Sequence, residues 1–339
     1  MHELSQKRAR TMLALPMTDL HTLPAEYTVR TATDADLDGV VRLMDDADRA
    51  LGLDPDPIRE YLTWIWHVPS TDLSRDTRVV VRGTEMTGFA QGIWRPEEGG
   101  PLDSLIRTHP DHLGRGFGSW ALAWGEALAA ERGSKGIRVL TVDRDVAGRA
   151  LLSSRGYVRV RSSFTMGKAL APDEDLGAAP AGVRIRPFET GRDERTLHEV
   201  EEASFADHWG FRPVPFEMFE AEMYGAEGWD PSLAFLAVVN AAVVGLVVAL
   251  SFEGDGYVAI LGVVPAWRGR GIAKALLRRA FAELAQRGHR EVRLGVDAQN
   301  PTGAVALYES VGMTPYRAYD IYDLGTPEVE IAHPSVRDR

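Results

Sequence analysis

Not one cysteine occurs in the 339 residues. Disulfides, thiolate metal sites and cysteine nucleophiles are excluded together, and a cytoplasmic setting is expected. Positive charge is also scarce: 38 Lys and Arg stand against 49 Asp and Glu, a formal net charge of −11. A general nucleic-acid binder needs the opposite balance, so no nucleic-acid partner is expected. Excess acid mildly favours a neutral or cationic small partner. Long apolar runs are missing as well. The most apolar stretch, Ala234 to Leu250, falls short of the ~20 residues a membrane span requires and is interrupted by Asn240 and Gly245. No membrane partner is expected; the stretch reads as two buried strands with a turn near Asn240-Ala241. At the N-terminus, basic residues precede a short apolar patch broken by Pro16, without a small-residue cleavage site, which speaks against a signal peptide.

What is present is a repeat. His109 to Leu122 (HPDHLGRGFGSWAL) can be laid under Val264 to Leu277 (VPAWRGRGIAKALL), so that Pro110, Gly114, Arg115 and Gly116 fall on Pro265, Gly269, Arg270 and Gly271. Val29-Arg30 matches Ile185-Arg186, Gly133 matches Gly288, and ALLSSRGY (Ala150 to Tyr157) matches ALYESVGM (Ala306 to Met313). A constant separation of about 155 residues marks two copies of one unit. The expected organisation is an N-terminal extension (1–24), a first copy (25–170), a linker rich in Pro, Gly, Ala and acid (171–182), a second copy (183–326) and a C-terminal tail (327–339).

Each copy opens with a strand (Tyr27 to Thr31; Val183 to Pro187) and a helical region. Two short apolar strands follow, then a third strand (Leu102 to Thr108; Tyr257 to Val264) running into a Gly-rich turn. Ile272, Ala273, Leu276, Leu277, Ala280, Phe281 and Leu284 recur at helical spacing before Gly288, and Phe117 to Leu128 do likewise before Gly133. A further strand (Ile137 to Val142; Glu291 to Val296), a short helix and a closing strand complete the unit. The fold class is α/β, a sheet covered by helices.

A strand that ends in a Gly-rich turn and opens a helix gathers unpartnered N–H groups and the positive end of the helix dipole at one point, which suits a phosphate. Gly269 and Gly271 let the backbone approach an anion, and Arg268 and Arg270 add charge. The spacing fits neither a Walker loop nor the dinucleotide fingerprint. It does carry Arg-x-x-Gly-x-Ala (Arg268 to Ala273) after a strand ending Val-Val-Pro, and about thirty residues on come Asn300-Pro301, Ala304, Tyr308 and Gly312. This combination resembles the GNAT superfamily of acyl-CoA-dependent N-acetyltransferases, in tandem, an arrangement similar to that of mycothiol-synthase-like enzymes. The resemblance implies two mixed, mostly antiparallel sheets flanked by helices, acetyl-CoA as cosubstrate, and a primary amine of a small molecule as acceptor. It implies that backbone N–H groups of Arg268, Gly269, Arg270, Gly271, Ile272 and Ala273 hold the pyrophosphate. The strand Leu261 to Val263 would splay from its neighbour and hydrogen-bond the pantetheine arm, Asn300 would contact the cofactor, and Tyr308 would protonate the leaving thiolate.

The first copy departs from this pattern, with Leu113, Leu152 and Arg144 standing near the places of Arg268, Tyr308 and Asn300. It is therefore expected to be catalytically inactive. The general base stays open. A carboxylate on the strand before the turn often serves in this superfamily, but its place here is taken by Tyr257. The candidates are Asp255, with Glu253 beyond it, and Glu202 in the segment Glu201 to Phe211, which also holds Asp207, His208 and Trp209. His109 and His112 have ligand-like spacing with no evident third ligand, so no metal is expected. Two other roles remain open: an acyl-CoA-binding sensor or scaffold without turnover, and transfer to a peptide or protein amine. The sequence leaves the oligomeric state undetermined.

Overall fold

Ala234 to Leu250 is apolar almost throughout because both of its faces are covered. In the computed structural model, which describes residues 23–55, 58–68, 70–94, 100–226, 228–252, 254–300 and 302–325, this stretch forms β8 (Trp229–Val239) and β9 (Ala242–Ser251). The linking residues Asn240 and Ala241 both adopt positive φ, 48° and 71°, as a two-residue hairpin turn following the twist of its strands requires. Side chains alternate faces along a strand. Leu233, Phe235, Ala237 and Val239 pack with Ile272, Leu276, Leu277 and Phe281 of helix α8 (Ile272–Gln286). Ala234 and Leu236 pack on the opposite face with Leu197 and Val200 of α6 (Glu194–Phe205) and with Phe219 and Met223 of α7 (Phe216–Gly225).

The first copy repeats this plan. Its strands are β1 (Thr28–Arg30), β2 (Thr77–Arg82), β3 (Glu85–Ile93), β4 (Leu102–Thr108), β5 (Ile137–Val142) and β6 (Val158–Ala169). Val80 and Ala90 meet helix α4 (Phe117–Glu131), while Val79 and Phe89 meet α1 (Leu37–Ala50) and α2 (Arg59–His67). Two short helices, α3 (Leu73–Asp76) and α5 (Val146–Ser154), complete this half. The second copy contributes β7 (Arg184–Pro187), β8, β9, β10 (Asp255–Val263), β11 (Glu291–Asp297), helix α9 (Ala304–Glu309) and β12 (Thr314–Leu324).

The copies do not close on themselves. All twelve strands form one sheet, in the order β1-β2-β3-β4-β5-β12-β6-β11-β10-β9-β8-β7. The second copy's closing strand, β12, pairs with β5 of the first, and the first copy's closing strand, β6, pairs with β11 of the second. Instead of two separate sheets, each sequence copy donates a strand to the other. At the centre Thr314 faces Gly167 and Asp323 faces Val158, a self-complementary register about a pseudo-twofold axis. Residues 171–182 run as coil along α8: Lys168 Nζ lies 2.5 Å from Glu174, Asp175 lies 3.7 Å from Arg278, and Pro180 approaches Gly271.

Arg317 on β12 reaches across this seam to Asp48 of α1 at 2.8 Å, with side chains only 2% and 6% exposed. Losing one partner of such a pair leaves a buried charge, at a cost of about 3–5 kcal/mol, whereas replacing both by apolar groups is close to neutral. Arg317→Leu should lower the unfolding midpoint markedly and Asp48→Leu with Arg317→Leu should recover most of it, as read by thermal and urea denaturation.

Candidate active site

Strands β10 and β11 run parallel and are paired over Asp255–Glu291, Gly256–Val292 and Tyr257–Arg293, and then they part. From Val258 onward β10 is paired, among the described residues, only with β9, with a bulge between Val258 and Ile260. A bulge leaves one residue out of the ladder and re-aims the strand. Among the described residues Leu261 and Val263 therefore lie on a strand whose β11-facing edge is unpaired, the splay that the family resemblance implies. At the far end Val264 N–H bonds Val244 O at 3.0 Å, Pro265–Trp267 make one 3-10 turn, and α8 starts at Ile272.

The turn is bare. Gly269 (φ 73°) and Gly271 (φ 79°) are both left-handed, and among the described residues no side chain caps the helix. Gly269, Arg270 and Gly271 are exposed, and a Cβ on Gly269 would meet nothing within 4 Å. The first N–H groups of α8, on Ile272 and Ala273, have no partner within the helix and sit at the positive end of its dipole. Ile272 can contribute only its backbone, since its side chain is 1% exposed in the core.

Arg268 is placed differently from the sequence expectation. Its N–H is bonded to Pro265 O at 3.2 Å, and its guanidinium does not face the turn. It grips Asp207 through two hydrogen bonds of 2.5 and 2.9 Å and also donates to Ser204 O and Val263 O. The Arg268 hydrogen bonds hold the Asp207 carboxyl below the usual range. Arg268 thus latches the segment after α6 to the end of β10. The neighbouring Trp209 stacks beneath two guanidiniums from the other half, Arg138 at 4.4 Å and Arg161 at 5.1 Å, and Arg161 pairs with Asp297 at 3.0 Å. Arg270 lies over the Trp267 ring at 4.5 Å.

Tyr308, on α9, is 8% exposed and packed in the core beside α8. Burial, with a smaller contribution from Tyr257, pushes its phenol up to about 12. Tyr257 marks the point where the strands part: its hydroxyl lies 3.3 Å from where a Cβ on Gly295 of β11 would stand. Two phenols therefore lie close enough beside the fork to influence one another. In the first copy Leu152 is 3% exposed in an apolar cluster. Asn300 Oδ1 accepts from Thr302 N–H at 2.8 Å, shaping the loop between β11 and α9.

A cleft of about 360 Å³ opens between α6, α7 and β10, lined by Phe211, Phe219, Trp229, Ala259 and Ile260 and by the carboxylates Glu201, Glu202 and Glu222. Glu202 is also 3.5 Å from His198. Asp255 lies at the start of β10, paired with Arg293 at 3.2 Å and on the other side of the fork's closed end. Asp255 does not line this cleft, whereas Glu201, which sequence reading passed over, does. Burial, then Glu202 and Glu222, raise the Glu201 carboxyl to about 7. A signal existed: Leu197, Val200 and Ser204 form the buried face of α6, and Glu201 interrupts that face at helical spacing. Glu253 and Pro301 lie outside the described residues.

Glu85 joins His109 and His112 in a cluster whose ligand atoms lie within 4.8 Å of one another. The cluster is held by its own bonds: His112 Nδ1 with Tyr27 Oη at 2.8 Å, and Asp111 N–H donating to His109 Nδ1 at 3.3 Å.

Residues 197–313 match the Acetyltransferase (GNAT) family. The chain is 32% identical over 312 residues to a mycothiol acetyltransferase of Catenulispora acidiphila, covering 87% of this chain and 98% of the relative. It is 34% identical over 240 residues to a mycothiol acetyltransferase of Thermobispora bispora, covering 68% and 78%. A GCN5-related N-acetyltransferase from Sphaerobacter thermophilus superposes with a TM-score of 0.80 at 30% identity, over 90% of this chain and 98% of that one. A tandem GNAT protein from the clavulanic acid biosynthesis pathway shares the fold, with a TM-score of 0.70 at 16% identity over 89% and 99%.

Proposed function

The chain belongs to the GNAT acetyltransferases, and from that premise we propose that its second copy carries acetyl transfer from acetyl-CoA to the amine of desacetylmycothiol. The observation that carries this reading is the forked β10–β11 edge, with an uncapped, exposed helix turn at one end and Tyr308 beside it. The turn from Gly269 to Ala273 offers N–H groups to the pyrophosphate, and the free edge at Leu261 and Val263 offers a ladder to the pantetheine amides. N–H groups at the bulge around Ala259 polarise the thioester carbonyl as the amine attacks. The C–N bond forms, the C–S bond breaks, and Tyr308 gives its proton to the leaving sulfur. Asn300 shapes the loop that brings α9 to the cofactor. A cleft of about 360 Å³ suits a small molecule better than a folded protein surface. The first copy, with Leu152 at the acid's place, supplies the strand β6 and the guanidiniums Arg138 and Arg161 that seat Trp209, and has no turnover of its own.

The test is release of free coenzyme A with desacetylmycothiol, L-cysteinamide, spermidine and a short peptide as acceptors. Desacetylmycothiol should give the highest kcat/KM. A preference for the peptide or spermidine would overturn the acceptor assignment. Tight acetyl-CoA binding without turnover on any amine would instead make the chain an acyl-CoA sensor.

A further inference from the structure

We infer that Glu201 is the general base of the acetyl transfer, a carboxylate supplied by helix α6 in a chain whose strand carries Tyr257 where the superfamily often places an acid. The assignment rests on the acetyl-transfer reading above. Its ground is geometric. Glu201 lines the same cleft as Ala259 and Ile260, at the bulge where β10 departs from its ladder and where the thioester carbonyl would be polarised. Helix and strand are locked together there: a Cβ on Gly262 would collide with Ser204 Oγ, so α6 lies directly on β10 one turn beyond Glu201. Arg268 ties the end of the same helix to β10, donating to Ser204 O, Asp207 and Val263 O.

Two of the other nearby acids are held by arginines. Asp207 is bound to Arg268, Asp255 to Arg293, and Glu202 stands 3.5 Å from His198. Among the described residues the Glu201 carboxylate accepts no hydrogen bond and forms no ion pair. The charged groups around it are Glu202 on its own helix, Glu222 on α7 and Arg212 in the intervening loop. Burial, and then these acids, raise its carboxyl to about 7, so that it accepts a proton more readily than an ordinary carboxylate.

The step balances. An acceptor entering as an ammonium loses one proton to solvent. As the neutral nitrogen attacks, its second proton passes to Glu201, the C–N bond forms, the C–S bond breaks, and the sulfur takes the phenolic proton of Tyr308. Exchange with solvent returns Glu201 to carboxylate and Tyr308 to phenol, leaving amide, free coenzyme A and one released proton.

Glu201→Gln keeps the shape and removes the base. With desacetylmycothiol and L-cysteinamide as probes, kcat/KM at pH 7 should fall by about 10²- to 10⁴-fold, with acetyl-CoA affinity unchanged. Glu201→Asp should restore part of the loss. The wild-type kcat/KM should rise with pH through about 7, because the carboxylate is the active form, and that limb should vanish in Glu201→Gln. Glu222→Gln, which removes a charge that raises Glu201, should move the limb to lower pH; a purely structural Glu201 would not respond in this way. A Glu201→Gln enzyme with near-normal turnover and an unaltered profile, beside an active wild type, overturns the base alone. A wild type that binds acetyl-CoA but acetylates no amine overturns both this assignment and the reading on which it rests.

Discussion

In Gly271→Glu, acetyl-CoA binding should drop by at least a hundredfold and turnover should fall with it, while the protein stays folded. Gly271 is the residue before α8 and holds φ at 79°, a conformation costing a non-glycine residue about 1–3 kcal/mol. Its added Cβ would meet only Pro180 Cγ, at 3.6 Å, so the core is untouched. The carboxylate would stand where the helix N–H groups gather. Against a phosphate about 4 Å away, a single negative charge at an effective dielectric of about 20 opposes binding by about 4 kcal/mol. That alone approaches a thousandfold. Gly271→Ala carries the same backbone strain without the charge, so calorimetry on both separates the two effects. The matching residue Gly116 has φ 91° and open space around its Cβ, and Gly116→Glu perturbs the other half equally. Because Leu152 fills the acid's place there, turnover should survive. Equal loss of activity from Gly116→Glu and Gly271→Glu would show that the first copy takes part in the chemistry.

What could be read from the chain was whatever depends on near neighbours. The Asn240-Ala241 hairpin, the left-handed Gly269 and Gly271, and the helix from Ile272 each follow from a few adjacent residues. The exchange of β6 and β12 was hidden because each has a strand's pattern whether its partner lies in its own copy or the other. The role of Arg268 was hidden for a similar reason: as a cation beside a Gly-rich turn it reads as a phosphate ligand until Asp207, 61 residues away, is brought against it. Glu201 illustrates a third case. Helical spacing puts it, rather than Glu202, on the face of Leu197, Val200 and Ser204, but only the packing of α6 on β10 shows how far that face is desolvated.

Tyr308→Phe should lower kcat by about 10- to 1000-fold and leave acetyl-CoA affinity nearly unchanged, because general acid-base catalysis contributes on this scale and the ring itself remains. The phenol is 8% exposed among apolar neighbours, so losing its hydroxyl opens no cavity of consequence. Its position on the acid scale sets where in that range the loss should fall. Burial lifts it to about 12, which keeps it protonated, and hence a donor, at every working pH. A thiol ionises near 8.5, so full transfer of the proton to a free thiolate would run uphill by several kcal/mol. The proton therefore moves as the C–S bond breaks and charge builds on sulfur, with the phenol acting as a strong hydrogen-bond donor until the transfer is complete. Such a donor loses less on removal than a well-matched acid, which points to the lower half of the range. Acetyl-CoA thioesters of better leaving thiols, such as a fluorinated pantetheine analogue, should narrow the gap between Tyr308→Phe and wild type, since their sulfur needs less help. A mutant with wild-type kcat on both thioesters would remove Tyr308 from the chemistry and leave it a packing residue of α9.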